Sequence, residues 1–142
     1  MRIFLDANIL FSASKSDGAV HQLLKRLVKQ KHVLCADEYV MIEARRNLSA
    51  KAGHDAIGKL DALLKKIEVA DARTRGENLG NDNKVAWLPA KDQPVMLAAM
   101  RMRCDALVTG DVTHFGKGFG KSFGGITLYS PRMLFDVVSQ SM

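Results

Sequence analysis

The sequence predicts an α/β fold with a mostly parallel central sheet. The first observation is a set of three short apolar runs typical of buried strands, at residues 2–5 (RIFL), 32–36 (HVLCA) and 106–109 (ALVT). The second is that segments with the apolar spacing of amphipathic helices separate these runs. Strands that alternate with helices favour parallel pairing, and apolar runs without polar alternation indicate a sheet covered on both faces.

The other elements follow from spacing and from helix-start residues. Residues 18–30 are predicted to be helical because apolar residues recur at helical spacing from Val20 to Val28. Asp37 has the chemistry of a helix cap and predicts a helix that ends near Ala50. The remaining predicted elements are a helix from about Asp55 to Lys66, a strand at 67–70, a polar loop at 71–84, a helix from about Pro94 to Arg103, a flexible loop at 115–125, a strand at 126–128 and a helix opened by Pro131.

Composition narrows the class of protein. The 142 residues are expected to form one domain over residues 1–142, and the net charge of +6 favours a polyanionic partner. We expect neither a membrane span nor a signal peptide, because no apolar stretch is long enough and Asp6 interrupts the N-terminal run. Cys35 and Cys104 lack metal-type spacing, so we expect reduced buried thiols in a cytoplasmic protein.

Four acidic residues can be assigned to one edge of the predicted sheet. Asp6 comes directly after the first predicted strand, and Asp111 comes shortly after the third apolar run. Parallel α/β sheets form their sites just beyond the carboxyl ends of the strands, so these two acids are candidates for one site. Asp92 at the start of one predicted helix, and Glu43 inside another, could reach the same edge.

Each acid also has a purely structural interpretation. Asp92 could cap its helix, and Asp111 could be a turn residue. Glu43 could pair with Arg46 across one helical turn, which stabilises a helix by about 0.2–0.5 kcal/mol. Asp6 is harder to explain in this way, because an acid at the end of a buried strand costs stability unless it is paired or bound to metal.

Taken together, the acids favour a metal site. If the four carboxylates converge, their mutual repulsion raises their pKa values and costs stability unless a cation neutralises them. Hard oxygen ligands select Mg²⁺ or Mn²⁺, and the chain has no CxxC or HxxxH spacing for zinc. The candidate metal ligands and catalytic residues are Asp6, Glu43, Asp92 and Asp111.

Three segments resemble the PIN domain family, and in particular its small VapC-like toxin ribonucleases. They are residues 5–10 (LDANIL), 39–48 (YVMIEARRNL, which contains Glu43) and 91–111 (KDQPVMLAAMRMRCDALVTGD). The resemblance implies a three-layer α/β/α fold whose acidic cluster holds divalent metal and hydrolyses phosphodiester bonds in RNA. It places the four candidate acids at the positions of that cluster.

The resemblance also implies supporting residues and partners. Asn8 and Thr109 would orient carboxylates or water, a small antitoxin would restrain the toxin, and a homodimer is a further expectation. Many relatives carry another Asp shortly after the T-G-D motif, where this chain has Thr113 and His114. A second metal site would therefore be weak or completed by water. We interpret His114 as a loop residue rather than a catalytic base.

Basic residues near the acids are candidate contacts for RNA phosphates. Arg45 and Arg46 closely follow one of the acids. Lys117 and Lys121 lie in the basic, aromatic segment 115–125 (FGKGFGKSFGG), whose phenylalanines could stack on unpaired bases. The alternative is a loop whose phenylalanines pack back on the domain.

Two other functions fit parts of the pattern. A non-catalytic RNA-binding or regulatory PIN-like domain would keep the fold, but we would expect it to have lost some of the acids. A haloacid-dehalogenase-like phosphatase also has a first strand that ends in an acid, yet its chemistry needs an aspartate as general acid where this chain has Asn8. The leading prediction is a metal-dependent endoribonuclease, the toxin of a toxin–antitoxin pair.

Overall fold

The structure is a computed structural model that describes residues 1–71 and 84–140. Its strands are β1 (Arg2–Leu5), β2 (Val33–Asp37), β3 (Ile67–Ala70), β4 (Ala106–Val108), β5 (Ser122–Phe123) and β6 (Ile126–Tyr129). They form a six-stranded sheet in the order β3-β2-β1-β4-β6-β5. Neighbouring strands are parallel except β5 and β6, which are antiparallel. The loop predicted at 71–84 lies, apart from its two end residues, outside the described residues.

Helices cover both faces of this sheet. They are α1 (Ala7–Lys15), α2 (Ala19–Lys29), α3 (Glu38–Lys51), α4 (His54–Leu64), α5 (Gln93–Arg101), α6 (Val112–Phe115) and α7 (Pro131–Ser139). The three-layer α/β/α architecture with a mostly parallel sheet confirms the predicted fold class. In the two ranges that the structure describes, no helix has the length and apolar character that a bilayer span requires.

Strand β1 lies in the interior of the sheet. Its residues Ile3, Phe4 and Leu5 have no exposed surface. Ile3 lies opposite Leu34 of β2 on one side and Ala106 of β4 on the other. Because helices pack on both faces, successive side chains of β1, β2 and β4 are buried except at the first residues, Arg2 and Val33, which explains why the runs lack polar alternation.

Side chains cap the starts of α3 and α7. The Asp37 carboxylate accepts a hydrogen bond of 2.9 Å from the backbone N–H of Val40, as expected from the sequence. The Ser130 hydroxyl accepts one from the N–H of Met133, and Pro131 occupies the first turn of α7. These caps satisfy backbone donors that would otherwise have no partner within the helix.

Helix α1 has no counterpart among the predicted elements. Its buried residues include Ile9, Leu10 and Ala13, a spacing that is helical over one turn. Asp6 caps this helix by accepting a hydrogen bond from the N–H of Ala7. The helical spacing of apolar residues is therefore present in the sequence. It is hard to recognise because this apolar segment is short and follows β1 without an intervening turn.

Segment 115–125 is not a loop throughout, but the alternative in which its phenylalanines pack back on the domain is confirmed. The segment contains the end of α6, a 3₁₀ turn at Gly116–Gly118 and the edge strand β5. Phe115 is 1% exposed, and the ring of Phe123 stacks on Trp87 with centroids 4.6 Å apart. The aromatic side chains pack against the domain because burial of a phenylalanine ring stabilises the fold more than exposure in a loop.

Candidate active site

Two of the candidate acids lie at the carboxyl ends of adjacent parallel strands. Leu5 of β1 pairs with Val108 of β4, and the N–H of Asp6 donates to the carbonyl of Val108 at 3.1 Å. Asp6 follows Leu5 directly, and Asp111 follows β4 after two intervening residues. The parallel register therefore places both acids at the same edge of the sheet.

The other two acids come from helical elements. Asp92 ends a 3₁₀ turn at Ala90–Asp92 that leads into α5, and its side chain makes no capping hydrogen bond. Glu43 lies on the exposed surface of α3. A cleft of about 550 Å³ is lined by Asp6, Glu43, Asp92 and Asp111 together. The structure thus brings all four candidates to one cleft, as the sequence led us to expect.

Asp6 is held by hydrogen bonds to both of its oxygens. Oδ1 accepts from the N–H of Ala7 at 2.8 Å. Oδ2 accepts from the hydroxyl of Thr109 at 2.8 Å and from the amide of Asn8 at 3.3 Å. Because Asp6 is only 8% exposed and Thr109 is fully buried, this carboxylate has a fixed orientation.

Asn8 ties the two strand ends together. Its amide nitrogen donates to the Thr109 hydroxyl oxygen at 3.2 Å as well as to Asp6. Its amide oxygen accepts from the N–H of Gly110 at 2.8 Å. Asn8 on α1 and Thr109 directly after β4 therefore both support Asp6, and we call these three residues the buried half of the cleft.

Burial makes the charge on Asp6 unfavourable. Desolvation raises the pKa of its carboxyl above the ordinary value, although the hydrogen bonds from Thr109 and Ala7 oppose this shift. The negative charges of Glu43 and Asp111 raise the pKa further. A bound cation would offset both effects, because it favours the ionised carboxylate.

Asp111 lies beside a histidine that the sequence did not single out as a site residue. Its Oδ1 accepts from the N–H of His114 at 3.1 Å, and its Oδ2 lies 2.7 Å from His114 Nδ1. Burial raises the pKa of the Asp111 carboxyl, but the hydrogen bonds from the ring and backbone of His114 outweigh it and hold the pKa below its usual value. The three-residue spacing on a short helix was the only sequence signal for this contact.

Asp92 completes this side of the cleft. Its Oδ2 lies 3.4 Å from His114 Nδ1, is buried, and accepts no hydrogen bond from the described residues. Ligand atoms of Asp92, Asp111 and His114 all lie within 4.8 Å of one another, and we call these residues the open half of the cleft. A buried carboxylate oxygen without a donor fits a divalent cation, since such an oxygen is costly to leave unpaired.

Among the residues that the structure describes, three cationic side chains line the cleft around the acids: Arg46, Lys51 and Lys91. Arg45 points elsewhere, because its guanidinium pairs with Asp61 of α4 at 2.6 Å. Of the two candidate arginines, only Arg46 borders the acids. Lys51 follows it by five residues on α3 and was missed because its side of the helix is clear only from the packing.

The two predicted lysines of segment 115–125 lie outside this lining. Lys117 and Lys121 are both exposed, but neither borders the cleft. The cleft does have an apolar wall, in which Tyr39 and Ile42 of α3 are 48% and 49% exposed. An exposed tyrosine next to cationic side chains is suited to stacking on a base of a single strand.

The sequence is similar to a known protein family. Residues 2–113 match the model of the PIN domain. No curated protein sequence matches the chain significantly.

The solved structures with similar folds include two from toxin–antitoxin proteins. A chain of VapBC2 from Rickettsia felis, in a crystal structure bound to a DNA fragment from the promoter, is 20% identical with a TM-score of 0.61, over 92% of this chain and 98% of that chain. Mycobacterium tuberculosis VapC20, described as a sarcin–ricin loop cleaving toxin, is 17% identical with a TM-score of 0.57, over 85% and 98%. At this level of identity the likeness concerns the fold. Since the match to the PIN domain covers most of the sequence, this chain belongs to the PIN domain family.

Proposed function

We propose that this chain is a metal-dependent endoribonuclease. The observation that carries the proposal is the convergence of Asp6, Glu43, Asp92 and Asp111 on one cleft whose rim is cationic. Carboxylates gathered in this way repel one another, and a stable protein gains from such an arrangement when a divalent cation binds it. Membership of the PIN domain family supports the same reading.

The four acids would hold Mg²⁺ or Mn²⁺, because hard oxygen ligands suit these ions. When bound, the ion supplies Lewis acidity, which ionises water near neutral pH and offsets charge on the scissile phosphate. Asn8 and Thr109 fix the orientation of Asp6, so the carboxylate needs little rearrangement to act as a ligand.

The rim of the cleft would bind the substrate. Arg46, Lys51 and Lys91 are placed to contact phosphates on either side of the acids, while Tyr39 offers a face for an unpaired base. The net charge of +6 adds a general attraction for RNA. The substrate we propose is therefore RNA with an accessible single-stranded segment.

A toxin–antitoxin role is the biological context that we propose. VapC20 is described as a toxin, and VapBC2 as an assembly bound to promoter DNA. An active ribonuclease must be restrained in the cell that makes it, so we propose a small antitoxin protein as partner. Homodimer formation and a cytoplasmic location remain expectations from the sequence.

One rival function is disfavoured by a specific residue, and the other is tested by an assay. In a phosphatase of the haloacid-dehalogenase type, the position of Asn8 would carry a proton donor, but here the Asn8 amide braces Asp6 and Gly110. A non-catalytic RNA-binding domain would use the same cationic rim without needing the acids. Cleavage assays separate this second alternative from the nuclease.

The test is cleavage of ribosomal and transfer RNA by the purified chain with Mg²⁺, Mn²⁺, Ca²⁺ or a chelator. We expect cleavage with Mg²⁺ and Mn²⁺, little with Ca²⁺ because its looser geometry positions water poorly, and none with the chelator. Glu43→Gln should abolish cleavage, and Glu38→Gln is the matched control on the same helix outside the cleft. Cleavage that survives chelation would contradict a metal centre, and RNA binding without cleavage would favour the non-catalytic alternative.

A further inference from the structure

We propose that His114 is a direct ligand of the divalent cation, which makes the centre a mixed nitrogen and oxygen site with a preference for Mn²⁺ over Mg²⁺. This inference rests on the proposed metal-dependent function and adds to it a residue and a metal preference. The sequence indicated only a loop histidine at this position.

The spacing of the ligand atoms matches a single coordination sphere. Adjacent ligands at about 2.1 Å from an octahedral cation lie about 3 Å from one another. His114 Nδ1 is 2.7 Å from Asp111 Oδ2 and 3.4 Å from Asp92 Oδ2, values that bracket this separation. The same nitrogen thus faces both carboxylates, as a shared ligand position requires.

The unpaired oxygen of Asp92 points to a missing partner at this place. Asp92 Oδ2 is buried and accepts no hydrogen bond from the described part of the chain, although His114 Nδ1 is its neighbour. A proton on Nδ1 is directed to Asp111, which lies closer, so it leaves Asp92 unsatisfied. A cation among the three ligand atoms would satisfy both carboxylates at once.

The fold holds the imidazole in this position. Asp111 caps α6 by accepting from the N–H of His114, which fixes the start of the helix. The next residue, Phe115, is buried and makes an edge-on contact with Trp87 at a centroid distance of 6.5 Å. His114 is therefore fixed from both sides, and such preorganisation favours a ligand over a mobile surface histidine.

Imidazole changes which metal the site prefers. Neutral imidazole is a good ligand for transition metals, whereas Mg²⁺ takes oxygen ligands and keeps much of its water. Mn²⁺ tolerates both ligand types, so we infer that it binds more tightly here.

Pulsed EPR of the Mn²⁺-loaded protein tests the ligand directly, because electron spin echo modulation detects a nitrogen bound to Mn²⁺. We expect nitrogen modulation in the parent chain and its loss in His114→Ala. His54→Ala is the control, since His54 begins α4 and is outside the cleft. His114→Gln keeps a hydrogen-bond donor for Asp111 without an imidazole, so it should also lose the signal while preserving the fold.

Metal titrations give a second readout that does not depend on cleavage. In His114→Ala the Mn²⁺ affinity should fall about tenfold or more, while the Mg²⁺ affinity should change less than about threefold. Equal losses for both ions would mean that His114 only positions Asp111, and would overturn the proposal.

Absence of nitrogen modulation in the parent chain would overturn it as well. If the parent still cleaves RNA in that case, the nuclease stands and only the ligand assignment fails. A chain that binds neither ion would contradict both proposals.

Discussion

The two halves of the acidic cleft are built in different ways. In the buried half, the oxygens of Asp6 accept three hydrogen bonds, and Asn8 and Thr109 are bonded to each other as well. In the open half, Asp92 has a buried oxygen without a donor, and the carboxylate of Asp111 is bonded only to groups of His114 and to no other described residue. The first half is a fixed support, and the second has capacity left for a ligand.

This difference indicates how a parallel sheet builds a site from strand ends. The buried half lies between β1 and β4, where every polar group needs a partner because water has little access. The open half lies at helix starts on the rim of the cleft. There a carboxylate oxygen without a hydrogen-bond donor remains able to bind a cation. If both halves serve one reaction, a change in either half should lower the rate of RNA cleavage.

The largest fall in the cleavage rate is expected when one negative charge is removed from either half of the cleft. Asp6→Asn and Asp92→Asn should each reduce the single-turnover rate of RNA cleavage by more than about a hundredfold, since even groups that only support metal ligands cost about 10- to 100-fold. Asp136→Asn, on the exposed face of α7, is the matched control. An Asp6→Asn variant with full activity would separate the buried half from catalysis.

A smaller loss is expected when the support for Asp6 is weakened. Thr109→Val keeps the shape but removes the hydroxyl that donates to Asp6 at 2.8 Å. The cleavage rate should fall about 10- to 100-fold while Mn²⁺ still binds, because the ligand is displaced rather than lost. Thr127→Val on β6 removes a hydroxyl that pairs only with Ser122 among the described residues and should leave the rate unchanged.

The two neighbouring arginines should differ in RNA binding by severalfold. Arg46→Ala removes a cation from the rim, so the RNA dissociation constant should rise and the slope of its logarithm against that of salt should flatten by about 0.7 to 1. Arg45→Ala removes only the partner of Asp61, so the affinity should change little. If both variants changed the RNA dissociation constant equally in filter-binding titrations, the RNA would not bind along the rim of the cleft.

The two lysines outside the cleft should contribute less to RNA binding than Arg46 does. Replacing both Lys117 and Lys121 by Ala should weaken RNA binding through the loss of phosphate contacts, with little change in the rate at saturating RNA. Because neither side chain borders the acids, the loss should be smaller than for Arg46→Ala. An unchanged affinity across salt concentrations would exclude this segment from the RNA path.

The smallest expected effect concerns stability. Since burial raises the pKa of Asp6, the native state holds its proton more tightly than the unfolded chain, and the ionised group destabilises the metal-free protein at neutral pH. The Tm of metal-free Asp6→Asn at pH 7 should therefore exceed that of the parent by a few degrees. This gain should shrink as the pH falls through the raised pKa towards the ordinary value of 3.8, which calorimetry across pH can follow.

Saturating Mn²⁺ should reverse the order of the two proteins. The parent binds the ion in its native state and gains stability by mass action, whereas Asp6→Asn gains less. A variant that is less stable than the parent at every pH would indicate that the Asp6 charge is already compensated within the protein.

The sequence predicts those features of the site whose positions follow directly from the order of strands and helices along the chain. Asp6 and Asp111 could be assigned to one edge because both follow apolar strands, and parallel strands end on the same side. The cap at Asp37 was equally predictable, since it depends on residues three positions apart.

Features that depend on packing between distant segments could not be predicted. Arg45 and Arg46 are adjacent in sequence, and only the position of Asp61 on α4 separates their roles. His114 joins the acids because a single turn of helix follows Asp111, and four residues carry too little periodicity to predict such a turn.

The pairing of β1 with β4 has a consequence for the newly made chain. More than a hundred residues separate Asp6 from Asp111 in the sequence, and the two meet only when β4 docks beside β1. Translation adds about 5 to 20 residues per second, so the nascent chain is incomplete at this site for several seconds. A ribosome-bound fragment that stops before β4 can form neither the strand pair nor the cleft, so the proposed RNA cleavage would begin only after β4 has been translated.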